Sequence, residues 1–132
     1  MSFRLDTSVL IEVENDNSHI IEQISSLQKS VKEDLCLTIF TFCEFYYGAM
    51  NKSEKNKEKV KERLNQYGLL NTSQASAVIF CELLHQLQKR GKTIPHFDLF
   101  IAALALEHNL TLLTTDQHFR EIPGLKVHIF EL

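Results

Sequence analysis

Four acidic residues of the 132-residue chain lie at the edges of apolar segments: Asp6, Glu44, Asp98 and Asp116. Asp6 follows the alternating run Ser2-Phe3-Arg4-Leu5. Glu44 comes shortly after the apolar stretch 35–39, Asp98 opens the apolar stretch 97–106, and Asp116 follows 111–115. Carboxylates brought to one place repel, raise one another's pKa values and cost stability unless a cation compensates them, so a fold that gathers four has a use for them. An all-oxygen donor set suits a hard ion, Mg²⁺ with Mn²⁺ as a substitute, held by a few carboxylates and its own waters. Such an ion lowers the pKa of a bound water enough for attack on phosphorus. The chemistry expected of the quartet is therefore phosphodiester hydrolysis.

The elements that must position these acids follow from hydrophobic periodicity. Residues 2–5 read as a short strand that runs into a helix start at Asp6-Thr7-Ser8. Val9, Leu10 and Val13 make one helical face, and Ile20, Ile21, Ile24 and Leu27 make another. A buried strand is expected over 35–39, a helix over 41–50 that closes near Gly48, and a strongly charged helix over 52–66 with Val60, Leu64 and Tyr67 turned inward. Ser76, Ile79, Phe80, Leu83, Leu84 and Leu87 recur at helical spacing, with Gly91 as terminator. Residues 97–106 are apolar nearly all round, which predicts a buried helix packed on a sheet, and 111–115 and 125–130 supply the last two strands. Strands alternating with helices predict right-handed crossovers and a mainly parallel central sheet flanked by helices on both faces, an α/β three-layer sandwich. In such sheets the ligand crevice lies beyond the carboxyl ends of the strands, which directs Asp6, Glu44 and Asp116 to one rim. Asp98 joins them from its helix.

Composition bounds the alternatives. Apolar residues make up 44% and charged residues 23% of the chain, and no Pro- or Gly-rich linker divides it, so residues 1–132 are expected to form a single domain. No apolar run approaches the ~20 residues of a membrane span, and the first residues lack a signal-peptide layout, so a cytoplasmic protein that does not engage membranes is expected. Cys36, Cys43 and Cys81 lie among apolar neighbours and are expected to be buried, reduced thiols without a bridge or zinc role. A formal net charge of -3 argues against nucleic-acid binding by bulk charge. It leaves a nuclease open, because clustered carboxylates carry negative charge while a basic rim meets the substrate.

A plainer reading stands beside the metal site. Asp6, Asp98 and Asp116 each precede a predicted helix, where an N-cap contributes about 1 kcal/mol. Taken singly, capping accounts for each of them. It weakens for Glu44, which sits between Cys43 and Phe45 inside a predicted helix, where a solvated face is the plain alternative. The two readings are compatible, since a helix N-terminus keeps a carboxylate ionised.

Four motifs in order carry a family resemblance. Leu5-Asp6-Thr7-Ser8-Val9-Leu10-Ile11 resembles the opening motif of PIN domains. Thr41-x-x-Glu44-x-x-x-Gly48 is similar to the second motif, Asp98-Leu99-Phe100-Ile101-Ala102-Ala103 to the third, and Thr114-Thr115-Asp116-x-x-Phe119 to the fourth. The ending Pro123-Gly124-Leu125-Lys126-Val127 and the compact length resemble the branch of VapC-type toxins. The resemblance implies that Asp6, Glu44, Asp98 and Asp116 are catalytic metal-binding acids, with Thr7, Ser8 or Thr115 either orienting a carboxylate, water or phosphate or simply capping. It further implies a PIN-like fold, endoribonuclease action on structured RNA such as tRNA, a homodimer, and inhibition by a cognate antitoxin. Many relatives carry a further acidic or polar residue just before the third-motif Asp, where this chain has Pro95-His96-Phe97. His96 is a candidate for phosphate contact or proton transfer, with a solvated loop histidine as the simpler reading, and the same holds for His118.

Residues 52–63 hold six basic residues against three glutamates, which reads either as a solvated helix or as a rim that guides RNA. Tyr46 and Tyr47 are candidates for base stacking or for core and dimer packing. Two rival functions stay in view: a PIN-fold binding module without catalysis, and a DNA-directed structure-specific nuclease. The intact acid quartet speaks against the first, and the lack of long insertions to clamp a duplex speaks against the second.

Overall fold

Strands and helices alternate along the chain, as the periodicity predicts. The computed structural model describes residues 3–27 and 35–131. Among these, β1 (Phe3–Leu5), β2 (Leu35–Thr38), β3 (Gly68–Leu70), β4 (Thr111–Thr114) and β5 (Val127–Ile129) form one sheet in the order β3-β2-β1-β4-β5. Every pairing in it is parallel. The helices are α1 (Thr7–Glu14), α2 (Ser18–Leu27), α3 (Ile39–Tyr47), α4 (Glu54–Leu64), α5 (Gln74–Lys89) and α6 (His96–Glu107).

Two apolar cores lie against the sheet, and β4 shows why. Successive strand residues point to opposite faces, so Leu112 joins Leu83, Leu87, Leu99 and Ile101, while Leu113 joins Val9, Leu10, Ile20, Ile24, Leu35 and Leu37. The first cluster is covered by α5 and α6, and the second by α1 and α2 with part of α3 and α4. This is the expected three-layer α/β arrangement. The central strand is β1, whose Phe3 pairs with both Leu35 and Thr111, so Asp6 emerges from the middle of the sheet at its carboxyl edge.

Local signals set the helix limits. Thr38 caps α3 by accepting a hydrogen bond from the Thr41 N–H at 3.0 Å. At the start of α5, Ser73 and Ser76 cap each other's backbone N–H groups reciprocally. Gly91 stops that helix with φ of +67°, a left-handed conformation that lets the Lys92 N–H reach the Leu87 carbonyl at 2.9 Å.

Several expectations need correction. Strand β3 is not foreshadowed by the sequence pattern, because it is three residues long, begins with glycine and leaves Leu69 51% exposed, so it carries no alternation. Ile39 opens α3 rather than ending β2, and Leu27 is exposed at the end of α2. The cysteines are free as expected, but only Cys36 is partly buried, while Cys43 and Cys81 are exposed. Apolar sequence neighbours do not bury a helical residue, since adjacent side chains point in different directions around the axis. Among the described residues no helix is long and apolar enough to cross a membrane.

Candidate active site

Asp6 occupies the N-cap position of α1, yet its side chain makes no capping hydrogen bond. The side chain is turned to the sheet edge. Its Oδ2 accepts hydrogen bonds from the Ser8 hydroxyl at 2.9 Å and from the Thr114 hydroxyl at 2.9 Å. The residue is 5% exposed, and its backbone N–H continues the ladder to the Leu113 carbonyl at 2.9 Å. Capping therefore does not explain this carboxylate.

Thr114 is the link to Asp6, where sequence pattern points instead to its neighbour Thr115. It is fully buried, and besides donating to Asp6 its Oγ1 accepts from the Asp116 N–H at 3.0 Å. The Thr115 backbone N–H donates to Ser8 Oγ at 3.1 Å, so two hydroxyls tie the ends of β1 and β4 together. Register is the signal that identifies Thr114: Leu5 pairs with Leu113, which sets Asp6 beside Thr114. Thr7 opens α1, and its side chain lies outside the described residues.

Asp116 does act as a cap, at the head of the 3-10 turn Gln117–Glu121. Its Oδ1 accepts the His118 N–H at 2.9 Å and lies 2.7 Å from His118 Nδ1. A carboxylate only accepts, so Nδ1 carries the proton of that contact. His118 is thus held by Asp116 rather than being a loose loop residue. His96 is the first residue of α6, not part of a loop, and its exposed ring meets Phe80 edge-on at 5.6 Å.

Asp98 lies in the first turn of α6, with Pro95 in the capping position, so it is no N-cap. Burial pushes its pKa up to about 6, and the negative charges of Asp6, Glu44 and Asp116 add to the shift while His118 opposes it. Three carboxylates from three other elements thus act on this half-buried carboxyl. Glu44 is exposed on α3, one turn beyond Thr41. It borders a cleft of about 260 Å³ shared with Glu14, Lys52 and Arg63, and a second of about 290 Å³ shared with Cys43, Tyr47 and Phe97.

The donor set suits a hard cation: four carboxylates with hydroxyls behind them. Among the described residues no three acidic, histidine or cysteine side chains close into a ready-made cage. An ion such as Mg²⁺ keeps several waters and needs only one or two carboxylates directly. The residues present therefore fit a hydrated ion better than a fully enclosed one.

The other predicted features fall around this centre. Tyr46 stacks on Phe42 with ring centroids 5.9 Å apart, whereas Tyr47 is 78% exposed. On α4, Lys57 and Lys61 pair with Glu54 and Glu58 at 2.9 and 3.1 Å, and Arg63 pairs with the half-buried Glu14 at 3.2 Å.

A parallel sheet with four acids at its carboxyl edge defines a class, and comparison with known proteins gives it a family. The chain belongs to the PIN-domain family, whose model matches residues 4–125. It is similar to ribonuclease VapC2 of Rickettsia felis, with 27% identity over 95% of each chain. It is also similar to toxin FitB of Neisseria gonorrhoeae, 31% identical over 85% of this chain and 86% of the other. Among solved structures, the DNA-bound VapBC complex of Salmonella typhimurium contains a chain that superposes with a TM-score of 0.82 at 25% identity, covering 98% of both. PIN-domain nucleases are in general dependent on a divalent metal ion.

Proposed function

We propose that this chain is a Mg²⁺-dependent endoribonuclease, with Mn²⁺ able to substitute, and that it is the toxin half of a toxin–antitoxin pair. The observation that carries this reading is the half-buried Asp98 carboxyl, raised above its ordinary range by burial and then by the charges of Asp6, Glu44 and Asp116. Similarity to a VapC ribonuclease, and to a chain solved in a VapBC complex, supports RNA as substrate and a cognate antitoxin as partner. The family resemblance extends the proposal to structured RNA such as tRNA, to a homodimer, to a cytoplasmic setting and to one domain carrying the whole activity.

Each acid has a distinct part. Asp6 has one oxygen engaged by Ser8 and Thr114, which fixes the carboxylate and would leave its other oxygen to hold the ion. Asp116 is oriented in the same way by His118. Asp98 would supply a further carboxylate from the first turn of α6, and Glu44, exposed on α3, would position the attacking water. When bound, the ion supplies Lewis acidity at the phosphate and a water of lowered pKa. Ser8 and Thr114 keep the Asp6 carboxylate from swinging as charge develops at phosphorus.

Purified, antitoxin-free protein should cleave RNA in millimolar Mg²⁺ and stop when EDTA is added in excess. Undiminished cleavage in EDTA overturns the proposal.

A further inference from the structure

The turn after α5 and the 3-10 turn after Asp116 enclose a cleft of about 340 Å³ lined by Arg90, Lys92, Arg120, Glu121, Ile122 and Pro123. Three cations face it against one carboxylate, in a chain whose net charge is -3. Its walls are fixed by their own hydrogen bonds and ion pairs. The Arg90 guanidinium donates to the Glu121 carbonyl at 2.8 Å, Lys92 Nζ lies 3.1 Å from Glu121 Oε1, and Arg120 Nε donates to Gln117 Oε1 at 2.9 Å. The positive φ of Gly91 sets Arg90 and Lys92 on the two sides of one tight turn.

Helix electrostatics explains part of this. A cation at the end of α5 offsets the negative end of its dipole, which accounts for Arg90. It does not account for Lys92, beyond the turn, or for Arg120, on another element. Both walls lead to the acids. One runs through Ile94 and Pro95 into the first turn of α6, where Asp98 sits, and the other starts at Asp116. Arg120 is four residues past Asp116, about 8 Å at the rise of a 3-10 helix. On α4, Lys57, Lys61 and Arg63 are each paired with a glutamate, as Lys92 is with Glu121, whereas among the described residues Arg90 and Arg120 bond only to uncharged oxygens.

We infer that this cleft is a phosphate subsite, which seats a phosphodiester of the RNA strand next to the one being hydrolysed. The inference rests on the ribonuclease reading. Guanidinium forks engage phosphate oxygens in pairs while a lysine acts as a point charge, so Arg120 fixes the strand's direction and Lys92 adds attraction. The subsite thereby compensates the repulsion that a polyanion meets at four carboxylates.

The test is binding of a short fluorescein-labelled oligouridine to the full chain in EDTA, followed by anisotropy over a range of salt. Lys92→Gln with Arg120→Gln should weaken binding by roughly tenfold or more. The slope of log affinity against log salt should become shallower by about 0.7, the value for one phosphate charge no longer neutralised. Lys126→Gln removes a charge held by Asn109 at the far end of α6, and it should change neither quantity. The Mg²⁺-induced rise in melting temperature should survive in the double variant, since its acids are intact. Wild-type affinity and slope in the double variant overturn the inference, as they would if the cleft served an acidic segment of a protein instead. Cleavage with Mg²⁺ is measured in parallel. Absence of wild-type cleavage sinks the ribonuclease reading, whereas cleavage with RNA binding indifferent to the cleft substitutions sinks the subsite alone.

Discussion

At the scale of single residues, Thr114 shows what the sequence conceals. Two adjacent threonines follow Leu113, and nothing in their type says which hydroxyl meets Asp6. The parallel register decides it, and register is a property of two strands more than a hundred residues apart. Thr114→Val keeps shape and volume but leaves a buried carboxylate short of a donor and the Asp116 N–H without its acceptor. The expected cost is about 1–3 kcal/mol of stability with a weakened response to Mg²⁺, and Thr114→Ser should recover most of both. Thermal melts of the two variants check this, and a valine variant indistinguishable from wild type would reduce Thr114 to packing.

Asp98 carries a pH dependence of known sign. Its carboxyl is raised from an ordinary value of 3.8 to about 6 in the folded protein, so the folded state holds this proton more tightly than the unfolded chain. Stability from this group is therefore lost as pH rises from near 4 to about 6, and the destabilisation is complete above that. In EDTA, the melting temperature of Asp98→Asn relative to wild type should climb across that interval and level off beyond it. A constant difference from pH 4 to 7 would show that the carboxyl is not raised.

At the scale of elements, long amphipathic or apolar segments are the legible ones. The helical repeat of α5, the all-round apolar α6 and the strands carrying Leu37 and Leu112 each announce themselves by period and composition. The acids are legible because each follows or opens such a segment. Strand β3 is not, because Gly68, Leu69 and Leu70 offer neither length nor alternation. Helix starts are legible only to within a turn: Asp98 precedes an apolar run and so resembles a cap, but Pro95 takes that position one residue before α6 begins. The charged helix α4 is legible as a helix, though not in its role. If it guides RNA, changing Lys55, Lys59 and Arg63 to Glu should weaken RNA binding and flatten its salt dependence without altering metal affinity. Unchanged binding would make α4 a solvated surface only.

At the scale of the whole molecule, strand order and the meeting of distant acids come only with the fold. Placing β1 at the centre brings the first acid of the quartet beside the last, and α3 and α6 carry the other two. Ile11, Tyr47, Val78 and Phe97 are exposed apolar side chains, and the family resemblance implies a homodimer that would cover such surface. A homodimer at micromolar concentration is the expected result of a mass measurement in solution, and a strictly monomeric mass would count against it.

The central claim is that the four acids exist to hold a cation, and melting curves of wild type and Asp98→Asn with and without Mg²⁺ test it most directly. Asparagine keeps the shape of the side chain and removes one negative charge from the cluster. Without metal near neutral pH, the variant should melt no lower than wild type, because burial and three neighbouring carboxylates no longer oppose a charge there. In millimolar Mg²⁺ the wild type should gain stability by mass action, the variant should gain little, and its RNA cleavage should fall to background. An Asp98→Asn protein that cleaves RNA and is stabilised by Mg²⁺ as wild type is would contradict the account.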